Sequence, residues 1–129
     1  MPIIHHEETF NAPPARVYGA LMNADEHAEY TGLPAEIGAE EGQTFAIFGG
    51  RVVGRHLQLV PSRRIVQAWR GAHWPEGVYT IVRIELHPNG EQTLLVLDHD
   101  AIPEEWVERV DAHWKNRYWQ ALRLYLEPW

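Results

Sequence analysis

Eight histidines, six tryptophans and five tyrosines are the side chains of this 129-residue sequence with the clearest capacity for ligand chemistry. The histidines are His5, His6, His27, His56, His73, His87, His99 and His113. A zinc-type site needs three or four converging ligands, and these histidines show no tight spacing with clustered carboxylates or cysteines; adjacent His5 and His6 point to opposite faces of a strand. No metal site is expected. Asp98-His99-Asp100 has the composition of a triad, yet on a strand the two aspartates point away from the side His99 uses. Ser62, the only serine, stands in a turn without a nucleophile elbow, so serine hydrolysis is excluded. Gly49, Gly50 and Gly54 surround a hairpin with no helix start behind them, which makes them turn glycines and not a phosphate loop. No cofactor is expected.

The set that remains is Gln67, Trp69, His99, His113, Trp114 and Tyr118. With Ile65, Gln67 and Trp69 facing inward on one strand and His99 ending an inward row on another, polar tips meet an aromatic wall in a cleft; Val82 and Leu97 extend its apolar lining. That arrangement suits a small apolar ligand, aromatic or acyl. Two further readings stay open. Trp69 and Trp114 can simply fill the core, with His99 a hydrogen-bonded histidine at a strand end. Alternatively, His99 or His113 acts as general base in a cyclase- or hydrolase-type enzyme, which requires a located substrate and a tuned pKa.

These side chains need a scaffold, and the stretch from Pro103 to the end supplies its longest element. Trp106, Val110, Trp114, Tyr118, Ala121, Leu122 and Tyr125 follow the three-and-four spacing of one helical face. Pro103 suits the first turn, Glu104 and Glu105 complement the helix dipole, and nothing interrupts the pattern before Pro128. One uninterrupted helix is expected. Upstream, residues 3–10 alternate as a strand. Asn11 with Pro13 and Pro14 opens a helix carrying Val17, Tyr18, Leu21 and Met22, and Asn23 and Asp25 cap a second, Glu26 to Tyr30, that Gly32 and Pro34 end. Then come β-type runs at residues 44–48, 51–60, 64–70, 78–87 and 93–99, separated by Gly49-Gly50, Pro61-Ser62-Arg63, Trp74-Pro75-Glu76-Gly77 and Pro88-Asn89-Gly90. Links this short make antiparallel neighbours. Val78, Thr80, Val82, Ile84 and Leu86 form the inward row of their strand; for the next strand the pattern leaves the face of Leu95, Leu97 and His99 undecided. A sheet with one apolar face must be covered, and only the C-terminal helix is long enough to do it.

A chain of this length, 45% hydrophobic, fits one domain over residues 1–129. It has no apolar run near membrane-span length, and MPIIHHEETF lacks the basic-then-apolar order of a secretory signal, so a cytosolic protein is expected. Zero cysteines exclude disulfides and thiol chemistry. A formal charge of -7 opposes nucleic-acid phosphate and anionic membrane surfaces as partners. Val66, Ala68, Ile81, Leu94 and Val96 fall on the outer face of the sheet, a patch that is either the interface of a C2 homodimer or the ordinary Val and Ile content of strands. Glu36, Glu40 and Glu41 read as a solvated loop.

The runs TFNAPPARVYGAL, FGGRVVG, LVPSRRIVQAWR, WPEGVYTIVRIEL, TLLVLDH, IPEE and HWKNRYWQALRLYLE together resemble the family of homologues of the activator of the 90-kDa heat-shock chaperone's ATPase. That family lies in the helix-grip, START-like (SRPBCC) superfamily shared with the birch-pollen allergen and polyketide cyclases. The resemblance covers almost the whole chain, and VPSRRIVQAWR, WPEG and the Trp114, Tyr118, Trp119 pattern are its most specific parts. It implies an α+β fold: a curved antiparallel sheet wrapped around a long C-terminal helix, with two short helices after the first strand. It also implies an elongated cavity between helix and sheet, used in many superfamily members for apolar small molecules, and, by analogy alone, a chaperone-regulating interaction. Two positions depart from the family pattern. Tyr30 precedes Thr31-Gly32 where tryptophan is usual, and His113 precedes Trp114 where glycine is usual. The added bulk at 113 either narrows such a cavity or lines it.

Overall fold

The structure, a computed structural model, describes residues 3–127. Its elements in chain order are β1 (Ile4–Phe10), α1 (Pro14–Met22), α2 (Ala24–Thr31), β2 (Glu36–Ile37), β3 (Thr44–Ile47), β4 (Val52–Val60), β5 (Arg64–Gly71), β6 (Thr80–Asn89) and β7 (Gln92–Asp100). A C-terminal helix of residues 104–126 follows. The strands form one antiparallel sheet in the order β1-β7-β6-β5-β4-β3-β2. Each hairpin turn makes its strands neighbours, and the one long-range pairing sets β1 on β7, with Ile4 opposite His99 and His6 opposite Leu97. The curved sheet faces the helix, as the helix-grip expectation requires.

The period-2 pattern sorts the faces. Thr80, Val82, Ile84 and Leu86 are buried, and so are Leu95, Leu97 and His99, which settles the row that the sequence left undecided. Val66, Ala68, Ile81, Leu94 and Val96 lie on the opposite face but are only half exposed. The ion pairs Arg83–Asp100 at 3.0 Å and Arg64–Glu85 at 3.7 Å cross that same face, and their stems cover apolar surface.

Three local expectations need correction. Pro13 and not Asn11 stands at the N-cap of α1, without a side-chain cap, while Asn23 does cap α2 by accepting the Glu26 N–H at 2.9 Å. Glu36, expected in a solvated loop, belongs to the two-residue edge strand β2, though it is exposed. Val78 precedes β6, whose first residue is Thr80.

The fourth correction concerns the C-terminal helix, which is not one uniform α-helix. It runs as a 3₁₀ turn (Glu104–Trp106), an α segment (Val107–Ala112), a π segment (His113–Trp119) and a second α segment (Gln120–Leu126). Gln120 N–H donates to the carbonyl of Lys115, five residues back, the hydrogen bond of a π turn. On an α-helix, residues five apart point about 140° away from each other. The wider turn instead brings Trp114 and Trp119 to the same side, their rings stacked at 5.1 Å and 24°. The buried face is therefore Val110, Trp114, Tyr118, Trp119, Leu122 and Leu126, while Ala121 and Tyr125 are half-buried. Pro128, the expected terminator, lies outside the described residues.

Candidate functional site

Two tryptophans of the π segment reach the sheet through histidines. Trp114 Nε1–H donates to His99 Nδ1 at 3.0 Å, so the ring proton sits on Nε2, which donates to Thr80 Oγ1 at 2.7 Å; the Thr80 hydroxyl in turn donates to the Trp69 carbonyl at 2.6 Å. Every polar atom in this relay is satisfied. Burial, with a smaller contribution from His113, pushes the His99 pKa down to about 3. With both nitrogens engaged and no exposure, His99 offers no lone pair to a substrate proton. On β1, Trp119 Nε1–H donates to His6 Nδ1 at 3.0 Å, and His6 Nε2–H to Asp111 Oδ1 at 2.6 Å. Burial acts to raise the Asp111 carboxyl, but hydrogen bonds from His6 and Lys115 hold it below its usual range. Farther along, Tyr118 hydroxyl meets His27 Nε2 at 2.9 Å, and burial pushes the His27 pKa down to about 4 and the tyrosine's up.

This solid core stops beneath the first half of the C-terminal helix, where a cleft of about 260 Å³ opens. Phe48, Trp69, Trp74, Trp106, Val110 and His113 wall it. Three short-range causes place these groups. Trp74 and Trp106 come from the turn before β6 and the first turn of the helix, and stack on each other at 4.7 Å and 11°. Gly71 ends β5 with no side chain, so the Trp74 indole lies where a Cβ would reach within 2.7 Å. Phe48 sits at φ 54, a left-handed conformation that costs a bulky residue energy, and its ring meets His113 at 4.6 Å.

The cleft walls are chemically incomplete. Trp69 Nε1 and His113 Nε2 are both buried and have no hydrogen-bond partner among the described residues. An orphaned buried donor costs about 1–3 kcal/mol, which an acceptor brought by an occupant returns. Burial, reinforced by the charge of Arg117, pushes the His113 pKa down to about 4, so the ring is neutral at pH 7. Exposed Arg51, Arg109 and Arg117 also line the opening.

The expected site residues thus divide. Trp69 and His113 line the cleft; Val82, Leu97, His99, Trp114 and Tyr118 are packed in the core behind it. Gln67 is set apart, its amide 3.4 Å from His56 Nδ1. Phe48, Trp74, Trp106 and the arginines were not foreseen; Trp74 stood in plain view in WPEG but read as a turn residue. The larger surface depression over β2, β3 and β4, about 770 Å³, holds no orphaned buried polar atom. No group of three or more His, Cys, Asp or Glu among the described residues is arranged to hold a metal ion.

Comparison with known proteins places this geometry in context. Residues 11–127 match the family model described as Activator of Hsp90 ATPase homolog 1-like protein. The activator of 90 kDa heat shock protein ATPase homolog 2 of Mus musculus is 28% identical over 124 residues, which cover 96% of this chain and 38% of that protein. The chain spans under two-fifths of the length of the curated relatives it matches. Among solved structures, an HSP90 activator from Plasmodium falciparum superposes with a TM-score of 0.88 at 23% identity, covering 94% of this chain and 93% of the other. The Aha1 dimer from Colwellia psychrerythraea gives 0.81 at 22%, covering 96% and 95%.

Proposed function

The chain belongs to the Activator of Hsp90 ATPase homolog 1-like family, and from that premise we propose that it binds a small apolar ligand carrying an aromatic ring or short acyl group in the cleft beneath the C-terminal helix. One observation carries this reading: an aromatic-walled cleft whose inner surface contains two orphaned buried polar atoms, Trp69 Nε1 and His113 Nε2. At about 260 Å³ it lies just below the usual range of roughly 300–1,000 Å³ for small-molecule pockets, which favours one or two rings over a long lipid chain. The expected readout is specific. In ¹H–¹⁵N spectra of the labelled protein, 2-naphthalenemethanol shifts the indole N–H signals of Trp69, Trp74 and Trp106 and leaves those of Trp114 and Trp119 in place. No shift at the three cleft indoles at millimolar probe refutes the reading.

A second reading has its own support. The relatives named as activators of the 90-kDa heat-shock ATPase make a chaperone of that class a partner to test. Co-purification with the cognate chaperone and stimulation of its ATPase would establish it, and failure of both removes it. The dimer named for the Colwellia protein favours self-association through the half-covered outer face of the sheet, which light scattering across a dilution series decides. Both readings suit a cytosolic protein; no helix among the described residues is long and apolar enough to cross a membrane. An enzymatic role of the cyclase or hydrolase kind rests on His113 alone, since the ring nitrogens of His99 are both engaged.

A further inference from the structure

We propose that the occupant of this cleft is an anion: a planar one- or two-ring acid whose ring lies between Trp69, Trp74 and Trp106 and whose carboxylate meets Arg51, Arg109 and Arg117 at the mouth. This rests on the cleft being a ligand site and adds the charge of what enters. The chain carries eighteen acidic residues against eleven lysines and arginines, yet three arginines and not one aspartate or glutamate line the cleft. None of the three has a salt-bridge partner among the described residues, whereas Arg16, Arg64, Arg83 and Arg123 are each paired with a carboxylate. They come from separate elements: Arg51 from the turn between β3 and β4, Arg109 from the α segment of the helix, and Arg117 from its π segment, two turns of sequence away but on the same wall. Guanidinium groups match a carboxylate by two parallel N–H···O bonds, and a low-polarity aromatic floor beside them strengthens the attraction. The field of Arg117 already reaches inside, since it helps hold His113 neutral. A cation entering the cleft would face three positive charges and find no counter-charge.

The test pairs a charged probe with its neutral counterpart. 2-Naphthoate and 2-naphthalenemethanol share the ring system and differ at the anionic group. By titration calorimetry at low ionic strength, the acid is expected to bind at least about tenfold tighter, which corresponds to about 1.4 kcal/mol. The preference should shrink in 0.5 M salt and vanish in the triple variant Arg51→Gln, Arg109→Gln, Arg117→Gln, read as the ratio of the two affinities in that variant. All three positions are exposed and glutamine is a good helix former, so the variant should fold; an unchanged circular dichroism spectrum checks that. Equal affinity for both probes overturns the anion proposal and leaves the apolar cleft standing. So does a preference that survives in the triple variant. Binding of neither probe overturns both.

Discussion

The indole N–H of Trp114 on the C-terminal helix donates to Nδ1 of His99 on the last strand, 3.0 Å away, and the pair joins helix to sheet at the centre of the core. Trp119 and His6 repeat the pairing on the neighbouring strand at the same 3.0 Å. Trp114→Phe keeps most of the ring volume but orphans His99 Nδ1 in a fully buried place. It should cost about 2–4 kcal/mol by urea denaturation, the sum of a lost donor and a small void. A loss under 0.5 kcal/mol would show that the hydrogen bond is idle.

Two buried histidines, His27 and His99, and the half-buried His113 set the acid limit of the fold. Burial pushes His27 and His113 down to about 4 and His99 to about 3, while the unfolded chain titrates near 6.5. Protons therefore bind the unfolded chain first as pH falls. Stability is complete above about pH 6.5 and declines between there and about pH 4, by on the order of 3 kcal/mol for each of His27 and His113. His5, raised by hydrogen bonds to Asp98 and Glu7, works in the opposite sense but is exposed. The urea midpoint should fall steeply from pH 6.5 to 4, and a flat profile across that window would contradict the assignment.

Gly71 separates cleft shape from fold stability. A Cβ there would stand 2.7 Å from Trp74 Nε1 and 2.9 Å from Cε2, so Gly71→Ala must move the indole that forms one wall. Gly54→Ala instead meets the Ala68 carbonyl at 2.0 Å, backbone that cannot swing aside. We expect Gly71→Ala to weaken 2-naphthalenemethanol binding at least about fivefold with under ~1.5 kcal/mol of destabilisation, and Gly54→Ala to cost more than about 3 kcal/mol. The same stability loss in both would deny Trp74 its freedom to move.

The sequence carried most of this scaffold because strands announce themselves by alternation and turns by glycine and proline; each predicted β-run survives to within a few residues. Of the helix face beyond Tyr118, Leu122 is inside as expected, while Ala121 and Tyr125 are only half-buried and Trp119 and Leu126 lie inside. Periodicity assumes a constant turn, and one residue absorbed by a π segment moves the edges of the stripe that follows it. The site divides in the same way. Trp69 lies on a strand whose face alternation assigns, and His113 opens the π segment, before the register shifts. Trp74, Arg51 and Phe48 stand in turns, where no period says which way a side chain points. The Trp119–His6 pair bridges 113 positions, so no local pattern contains it.

The π segment itself makes a prediction with two opposite arms. Asn116 is exposed and lies between Trp114 and Tyr118. Without it, Val110, Trp114, Trp119, Leu122 and Leu126 would fall at successive steps of four, four, three and four residues, an ordinary α-helical stripe, with Tyr118 three after Trp114. Asn116 is thus equivalent to an inserted residue that the wider turn accommodates. Its deletion should leave a folded protein within about 2 kcal/mol of the parent, because the buried stripe is kept and the poorer π hydrogen bonds are replaced. Inserting one alanine after Asn116 should do the reverse. With the π turn already in use, the extra residue rotates Trp119, Leu122 and Leu126 by about 100° away from the sheet and breaks the bond to His6. That protein should lose more than about 4 kcal/mol or fail to fold. Circular dichroism with urea denaturation distinguishes the arms. Equal damage from deletion and insertion would show that the π segment is required for the helix to fit the sheet, and not an accommodation of one extra residue.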